Sequence, residues 1–468
     1  MKKLIMFVFG LIVMGATKNG EVWANEKYTT IINPVRSREL WKDKSLKPIE
    51  DQHKIIKENN FKATWLLQND VLQDEELITK IKEFDDKQEL GIFLEISKNL
   101  ALRSRIYFDE QRPWYDPGVV FLSAYKREDR VKLIDKTMAD FKDTFGYRPK
   151  SVGAWWIDSY SQQYLENKYG IKTILICSDQ KTTDSYGIWG QWWGYPYFPS
   201  KDNILAPGKS EMLVLQWALR DTEKAFFGEG PLVSNFSMQA NDYISQGLDI
   251  NYFEKLATIY LDEKNKLGQI TVGLETGIES VPFINEYKKQ LDWIKDNEIK
   301  TVTMSEMTDE YKRIYEGNPE EVWIGDWKMT EKYRENKKLG EKINYEDDMV
   351  FKDYYEKDDA NFLNRIYSPE NLTKKKIFDN KLLINILIMA AGLLVIIKYK
   401  KKGIILVILV LIMYWMITHV RYSVVDGQRL IGFLIDEFRF VGINMQTGIV
   451  NTDLSNLVAK SMLKIKLW

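Results

Sequence analysis

The chain has 468 residues and a formal charge of −1, so its overall charge gives no reason to expect nucleic acid as a partner. Its length accommodates one β/α barrel of about 250 residues together with additional parts. Hydrophobic residues make up 45% of the chain, a normal globular share that concentrates at the two ends, and the single cysteine, Cys177, excludes an intrachain disulfide.

The N-terminus has the pattern of a secretory signal peptide. Lys2 and Lys3 precede an apolar run from Leu4 to Ala16, and Ala24 supplies the small residue that signal peptidase requires. We therefore predict a signal peptide over residues 1–24 and export of the domain that follows. An uncleaved membrane anchor is the alternative, although the apolar run is short for a span of about 20 residues.

Eight apolar segments, separated mostly by helical or long loop segments, predict a β/α barrel over residues 25–316. The predicted strands are residues 29–35, 61–67, 90–94, 151–157, 173–177, 212–218, 269–274 and 300–304. Between the fourth and fifth strands, Ser159 is a plausible N-cap and Gly170 ends the helix, which completes a β/α/β unit. A long insertion, marked as loop by Pro113 and Pro117, follows the third strand.

Polar residues stand where the predicted strands end, and in such barrels the chemistry lies at the carboxyl ends of the strands. They are Arg36, Asp70, Glu95, Asp158, Asp179, Asp221, Glu275 and Glu306. Glycoside hydrolysis needs two carboxyl groups about 5 to 10 Å apart. Strands four and seven could bring Asp158 and Glu275 that close, so we predict these two as the catalytic pair. Alternatively, each acid caps the next helix or pairs with an arginine such as Arg36 or Arg220.

Tryptophans give a second line of evidence for carbohydrate binding, because the flat faces of sugar rings stack on indole. A Gly- and Pro-rich loop over residues 189–198 follows the fifth strand, and other tryptophans lie near strand ends. The predicted binding residues are Trp155, Trp156, Trp189, Trp192, Trp193 and Trp217, together with Arg36, Glu95, Asp179, Arg220 and Asp221. The alternative is that these aromatic side chains pack the long loop onto the barrel.

Several short motifs resemble the polysaccharide-deacetylase family. Phe61-Lys-Ala-Thr-Trp65 and Glu89-Leu-Gly91 stand where that family has Ala-Thr-Phe-Phe and Glu-Ile-Gly. Phe145-Gly-Tyr-Arg-Pro149, and later Lys168-Tyr-Gly-Ile171 before a strand, are similar to the later part of that fold and equally to the related family 57 glycoside hydrolases. The resemblance covers roughly residues 29–315 and implies a distorted seven- or eight-stranded β/α barrel that acts on carbohydrate.

The catalytic motifs of the deacetylases are missing. Their aspartate pair falls on Asn33-Pro-Val-Arg36, and their metal-binding His-x-x-x-His falls on Phe93 and Ser97. The chain has only two histidines, His53 and His419, so a His-rich zinc site cannot be built. We therefore expect no zinc-dependent deacetylation and assign no metal or cofactor; a carboxylate-only site would suit Mg²⁺ or Ca²⁺ better.

The C-terminal third predicts a membrane anchor. Residues 317–381 are charged and aromatic without a clear period, which is typical of a juxtamembrane linker or a small accessory layer. Leu382–Ile397 and Gly403–Ile417 are two apolar segments joined by four lysines, so we predict a transmembrane hairpin over residues 382–420 that contacts membrane lipid. The lysine loop should be cytoplasmic, which places the barrel outside. A buried helical hairpin is the alternative.

The tail over residues 421–468 carries apolar residues on one helical face, namely Leu430, Phe433, Leu434, Phe438 and Val441. This pattern predicts an amphipathic helix that lies on the membrane or docks on the exported domain.

Taken together, these patterns predict a membrane-anchored, extracytoplasmic carbohydrate-active protein that acts on a polysaccharide or oligosaccharide as a carboxylate-dependent glycoside hydrolase. The alternative is a barrel that has lost its chemistry and binds or organises cell-envelope glycan.

Overall fold

The computed structural model describes residues 25–183, 186–188, 190–224 and 233–345, and five strands between Val420 and Lys466. The predicted signal peptide, the linker beyond residue 345 and the two apolar segments of the predicted hairpin lie outside the described residues. Within the described ranges, no helix combines the length and the apolar composition that crossing a membrane requires.

All eight predicted strands are present. The strands of the first 345 residues are β1 (Glu26–Val35), β2 (Ala63–Gln68), β3 (Gln88–Phe93), β4 (Ser151–Gly153), β5 (Thr173–Cys177), β6 (Gln180–Thr183), β7 (Tyr186–Ile188), β8 (Leu213–Trp217), β9 (Leu267–Val272), β10 (Lys300–Val302), β11 (Glu321–Ile324), β12 (Trp327–Thr330), β13 (Tyr333–Asn336) and β14 (Glu341–Asn344). The fourth strand is shorter than predicted: its regular ladder with β3 and β5 covers Ser151–Gly153, and beyond it Ala154 and Trp155 make single backbone bonds to β5.

Helices connect most of the barrel strands. They are α1 (Lys47–Glu58), α2 (Glu75–Ile81), α3 (Lys98–Arg103), α4 (Pro117–Val120), α5 (Arg127–Phe145), α6 (Ser159–Tyr164), α7 (Ala240–Ser245), α8 (Ile250–Tyr260), α9 (Ser280–Asp296) and α10 (Met304–Ile314). Gly146, with a φ of 81°, ends α5 in the left-handed conformation that favours glycine. Thr303 and Glu306 form a capping box at the start of α10.

Seven parallel strands form a nearly closed barrel in the order β9-β1-β2-β3-β4-β5-β8. No hydrogen-bonded ladder joins β8 to β9 in the described part of the chain. The eighth predicted strand, β10, does not fill that gap. It pairs with Tyr28–Thr30 of β1, on the same side of β1 on which β2 pairs further along, at Ile32–Val35. Every residue of β2, β5 and β8 is buried, as expected for parallel strands covered on both faces. The predicted distorted barrel is confirmed.

The segment after the barrel forms a second, smaller sheet. Strands β11 to β14 pair antiparallel in sequence order. The sheet contacts the loop over residues 190–198, where the Nε1 of Trp192 donates to the backbone oxygen of Thr330 at 2.9 Å. The hydroxyl of Tyr345 donates to the backbone oxygen of Gln191 at 2.6 Å. This sheet is therefore an accessory layer that covers the loop.

The helix predicted in the tail is wrong. The tail forms β15 (Val420–Val425), β16 (Gln428–Asp436), β17 (Arg439–Asn444), β18 (Ile449–Asp453) and β19 (Leu463–Lys466), paired antiparallel in that order. Glycines at 432 and 442 disfavour a helix, and Val425 pairs with Gln428 across the residues Asp-Gly, a pair typical of two-residue hairpins. Phe438 lies outside the described residues.

Candidate functional site

The carboxyl ends of three strands bring an arginine and two glutamates together. Arg36 directly follows β1, Glu95 comes two residues after β3, and Glu275 comes three residues after β9. Arg36 binds Glu95 through two bonds, from Nε to Oε2 at 2.6 Å and from Nη2 to Oε1 at 3.0 Å. Its Nη1 donates to Oε2 of Glu275. We call these three residues the Arg36 cluster.

The three members of the Arg36 cluster differ in how far solvent reaches them. The side chains of Arg36 and Glu95 are 2% and 1% exposed, whereas the side chain of Glu275 is 13% exposed. A bidentate guanidinium–carboxylate pair has a fixed planar geometry, so Glu95 holds Arg36 in one orientation. Glu275 is therefore the carboxylate of the cluster that a ligand can reach.

Aromatic rings surround the guanidinium of Arg36. Its Cζ lies 5.0 Å from the ring centroid of Phe93, 5.1 Å from that of Trp114 and 5.4 Å from that of Trp155. Trp155 in turn lies against Trp217, with ring centroids 5.3 Å apart. Trp114 is 41% exposed, while Trp155 and Trp217 are 8% and 4% exposed. We call the Arg36 cluster and these four rings the barrel mouth.

Neighbouring side chains hold the backbone at Arg36 and at Glu275. The Nε1 of Trp41 donates to the backbone oxygen of Arg36 at 2.9 Å. Gly277 has a φ of 76°, and a Cβ at this position would lie 2.1 Å from the Trp41 ring, so only glycine fits there. The carboxylate of Glu279 accepts the backbone N–H of Glu275 at 2.9 Å, which holds the turn that presents Glu275.

Asp158, predicted as one of the catalytic pair, lies in a different network. Its side chain is completely buried, and Oδ1 accepts from Nη1 of Arg130 at 2.8 Å and from the backbone N–H of Ser161 at 2.8 Å. Oδ2 accepts from the hydroxyl of Ser161 at 2.7 Å. Asp158 is therefore the N-cap of α6 and an ion-pair partner, and the predicted pairing with Glu275 gains no support from this geometry.

The aromatic loop is buried rather than open to a ligand. Trp192 and Trp193 are 1% and 3% exposed. The Nε1 of Trp193 donates to Asp179, whose Oδ2 also accepts from Nη1 of Arg334 at 2.8 Å. The Arg334 Cζ lies 4.3 Å from the Trp193 ring. The accessory sheet covers Trp192, Trp193 and Asp179, so this geometry gives no support to their predicted role as binding residues.

Burial also governs the protonation of Asp179. Removal from water raises the pKa of Asp179 from its ordinary value of 3.8 to about 6, while the positive charge of Arg334 acts in the opposite direction. Asp179 is thus a buried structural acid that joins the end of β5 to β13.

Three more predicted binding residues are internal, and a fourth lies outside the described residues. Trp156 is 1% exposed, and Arg220 and Asp221 are also buried. Arg220 donates from Nη1 to the backbone oxygen of Ser234 at 2.6 Å, and Asp221 accepts from the Tyr252 hydroxyl at 2.8 Å. Arg220 and Asp221 are therefore bound within the protein, and Trp156 is buried. Trp189 lies outside the described residues.

The remaining strand-end acids also have local roles. Asp70 accepts from the hydroxyl of Ser97 at 2.7 Å, and burial raises the pKa of Asp70 above its ordinary value. Glu306 completes the capping box of α10 and pairs with Lys62 at 2.5 Å. Of the eight strand-end groups, three therefore meet at the barrel mouth: Arg36, Glu95 and Glu275.

The barrel mouth does not fit a zinc ion. The described residues contain no group of three or more His, Cys, Asp or Glu side chains placed to hold a metal. Phe93, at one position of the family's histidine motif, packs on Arg36, and Ser97, at the other, caps α3 by accepting the backbone N–H of Leu100. The guanidinium of Arg36 is bound to both Glu95 and Glu275, so these carboxylates already hold a cation.

Sequence reasoning missed Trp114 and Phe93. Trp114 lies in the insertion after β3, where the flanking Pro113 and Pro117 marked only a loop. A tryptophan in an otherwise polar, proline-bounded loop is a signal for an exposed aromatic contact, since an exposed indole has to serve something other than the core. Phe93 gave no such signal, because it ends an apolar strand.

Comparison with known proteins supports the fold. No family model and no curated protein matches the chain. A solved structure of a putative glycoside hydrolase/deacetylase from Parabacteroides distasonis is 18% identical, covers 66% of this chain and 80% of its own, and has a TM-score of 0.51. The barrel has the glycoside hydrolase/deacetylase fold. This confirms, at the level of fold, the resemblance seen in the sequence.

Two more distant structures match a similar share of the chain. A putative polysaccharide deacetylase from Mycobacterium smegmatis is 13% identical and covers 64% of this chain and 94% of its own, with a TM-score of 0.39. A CE4 family pseudoenzyme from Bacillus anthracis is 10% identical and covers 61% of this chain and 66% of its own, with a TM-score of 0.34.

Proposed function

We propose that the barrel mouth binds glycan and that the protein acts by binding rather than by hydrolysis. The observation that carries this proposal is the placement of Trp114. Its indole is 41% exposed and its ring centroid lies 5.1 Å from Cζ of Arg36, which also binds Glu275, the more exposed carboxylate of the Arg36 cluster. An exposed indole beside a partly exposed acceptor is the combination that binds a sugar, with the ring stacked and a hydroxyl hydrogen-bonded.

The carboxylates argue against hydrolysis by the predicted pair. A glycosidase needs two carboxyl groups that reach the same glycosidic bond, one of them protonated. Asp158 is completely buried, and both of its oxygens are bound within the protein. Glu95 is 1% exposed and is bound through both oxygens to Arg36. Glu275 therefore lacks an accessible carboxyl partner among these acids.

Hydrolysis is the second candidate function, and one observation favours it. Glu95 and Glu275 bind the same guanidinium, so two carboxylates do approach each other at the mouth. A movement that released Glu95 from Arg36 would expose a second carboxyl group. The two candidates differ in one measurable respect, because only a hydrolase releases new reducing ends.

The test measures binding and hydrolysis on the same full-length protein. We expect glycan-array screening followed by calorimetry to detect binding, with no new reducing ends over long incubation. Trp114→Ala should weaken binding about tenfold, the effect of losing roughly 1.4 kcal/mol of stacking and buried apolar area.

A matched control separates the mouth from the rest of the surface. Tyr147 is 48% exposed and precedes β4, so it lies at the opposite end of the barrel. Tyr147→Ala should leave glycan affinity unchanged. Equal affinity in wild type and Trp114→Ala would reject the mouth as the binding site, and release of reducing ends would favour the hydrolase instead.

We further propose that the barrel works outside the cytoplasm on an envelope or environmental polysaccharide, held to the membrane by its C-terminal region. Support comes from the basic and apolar N-terminus with Ala24 at its end, and from the two apolar segments around four lysines.

A further inference from the structure

We propose that the barrel mouth prefers glycans that carry free amino groups, and that Glu275 is the residue that recognises the ammonium. This inference rests on the proposed glycan-binding function and adds the chemical class of the sugar. It comes from the charge balance of the Arg36 cluster and from which of its charges a ligand can reach.

The Arg36 cluster carries one net negative charge, since one guanidinium is bound to two carboxylates. A ligand can reach the positive charge of Arg36 less easily than the negative charge of Glu275. Arg36 is 2% exposed, its Nε, Nη1 and Nη2 all donate to Glu95 or Glu275, and three aromatic rings lie within 5.4 Å of its Cζ. An acidic sugar therefore cannot reach the guanidinium that would attract it.

Glu275 presents the excess negative charge. Its Oε2 accepts from Arg36, whereas within the described part of the chain Oε1 receives no hydrogen bond. The side chain is 13% exposed, so Oε1 can accept from a ligand. A charge-assisted bond from an ammonium to a partly buried carboxylate is stronger than one from a neutral hydroxyl or amide.

Trp114 adds to the same preference. Its indole lies 5.1 Å from a guanidinium that is already held by two carboxylates, and 41% of its surface remains exposed. Arg36 contacts both the indole and Glu275, so a sugar ring stacked on the indole can direct a ring substituent towards Glu275. An indole face also attracts a cation. Glucosamine or galactosamine residues can stack on Trp114 and donate from an ammonium to Glu275. N-acetylated residues can stack but carry no ammonium. Uronic acids are repelled by the negative charge of Glu275.

The experiment compares oligomers of equal length in calorimetry with the full-length chain. We expect oligoglucosamine to bind about tenfold more tightly than oligo-N-acetylglucosamine, and oligogalacturonic acid to bind more weakly than either. The advantage of oligoglucosamine should shrink as sodium chloride is raised, because the exposed part of the attraction is screened.

Glu275→Gln tests the residue itself. Glutamine keeps an oxygen that can accept from Arg36 but carries no charge, so the ratio of the two affinities should fall towards one. Glu263 is 82% exposed and precedes β9 at the opposite end of the barrel, so Glu263→Gln should keep the wild-type ratio. Thermal unfolding of both variants shows whether each protein remains folded.

The outcomes separate the two proposals. Equal affinity of wild type for the amino and N-acetyl oligomers overturns the preference while leaving glycan binding intact. A Glu275→Gln protein that is folded and keeps the wild-type ratio also overturns it. If no oligomer and no arrayed glycan binds, the proposed function fails and the amino-sugar preference fails with it.

Discussion

At the scale of single residues, an acid at the end of a strand has a role that depends on its partners. Glu275 and Asp158 both follow barrel strands, yet Glu275 is 13% exposed and Asp158 is completely buried. Both oxygens of Asp158 are bound within the protein, by Arg130 of α5 and by Ser161 of α6. Asp158 is consequently a stabilising residue in this structure.

Replacing Asp158 tests that role. Asp158→Asn should lower the free energy of unfolding by about 3 kcal/mol, because it leaves the Arg130 guanidinium buried beside a neutral group. Denaturant unfolding of the full-length chain measures the effect, with the exposed Asp202→Asn as a control that should change little. A stable Asp158→Asn protein that had lost hydrolysis would restore the catalytic interpretation.

At the scale of elements, the loop over residues 190–198 and the accessory sheet of β11–β14 depend on each other. Trp192 and Trp193 of the loop are buried, and the sheet covers them: Trp193 and Trp327 lie with ring centroids 5.0 Å apart. The pair Asp179 and Arg334 ties both elements to the end of β5. The loop is therefore part of the scaffold that supports the barrel.

The Asp179 carboxylate makes this scaffold sensitive to pH. Its pKa in the folded protein, about 6, lies above its ordinary value of 3.8, so the folded state binds the proton more tightly than the unfolded state. The stability that this group contributes is therefore full below about pH 4 and is lost as pH rises through about 6.

Asp179→Asn should remove that dependence. The difference in unfolding free energy between wild type and variant is expected to change by up to about 3 kcal/mol between pH 4 and 7. Thermal or denaturant unfolding at a series of pH values measures it, again beside Asp202→Asn. Parallel pH curves for wild type and Asp179→Asn would show that this carboxyl does not titrate in the interval.

At the scale of the whole molecule, parallel pairing gathers chemistry at one end of the barrel. All strand pairs of the barrel are parallel, so the residues that follow β1, β3, β4 and β9 meet at one mouth. The gap between β8 and β9 lies beside this mouth, where Trp217 ends β8. A glycan bound there would contact residues from distant parts of the chain.

The proposed location is tested on cells that express the full chain. We expect the protein in the membrane fraction, with the barrel digested by protease added outside intact cells, because the lysine loop between the two apolar segments stays in the cytoplasm. A cytoplasmic protein of known location serves as the control for cell integrity. A barrel that is protected until the cells are lysed would contradict export.

Much of the fold and part of the site could be predicted from the sequence. Residues whose role depends on local patterns were predictable, and residues whose role depends on distant contacts were not. The eight strands and Arg36, Glu95 and Glu275 follow from local patterns, since apolar runs that stop at a polar residue reflect burial of the strand alone. Trp192 was not predictable in this way. Its hydrogen-bond partner, Thr330, is 138 residues away, so nothing near Trp192 distinguishes an open platform from a covered one.

In the tail over residues 421–468, the local sequence likewise does not decide between helix and strand. Its apolar residues fit a helical period, yet Leu430 and Phe433 pair across strands with Asn444 and Val441. A short apolar pattern is compatible with both structures, and the pairing partner decides between them.

The amino-acid sequence alone predicts the β/α barrel, the end of the barrel at which the site lies, and the absence of the zinc ligands. Each of these depends on residue types at nearby positions. Strand neighbours, the burial of Asp158 and the tryptophan loop, and the approach of Trp114 to Arg36 were settled by packing between distant segments. A side chain's exposure depends on what covers it, and the covering residues are far away in the chain.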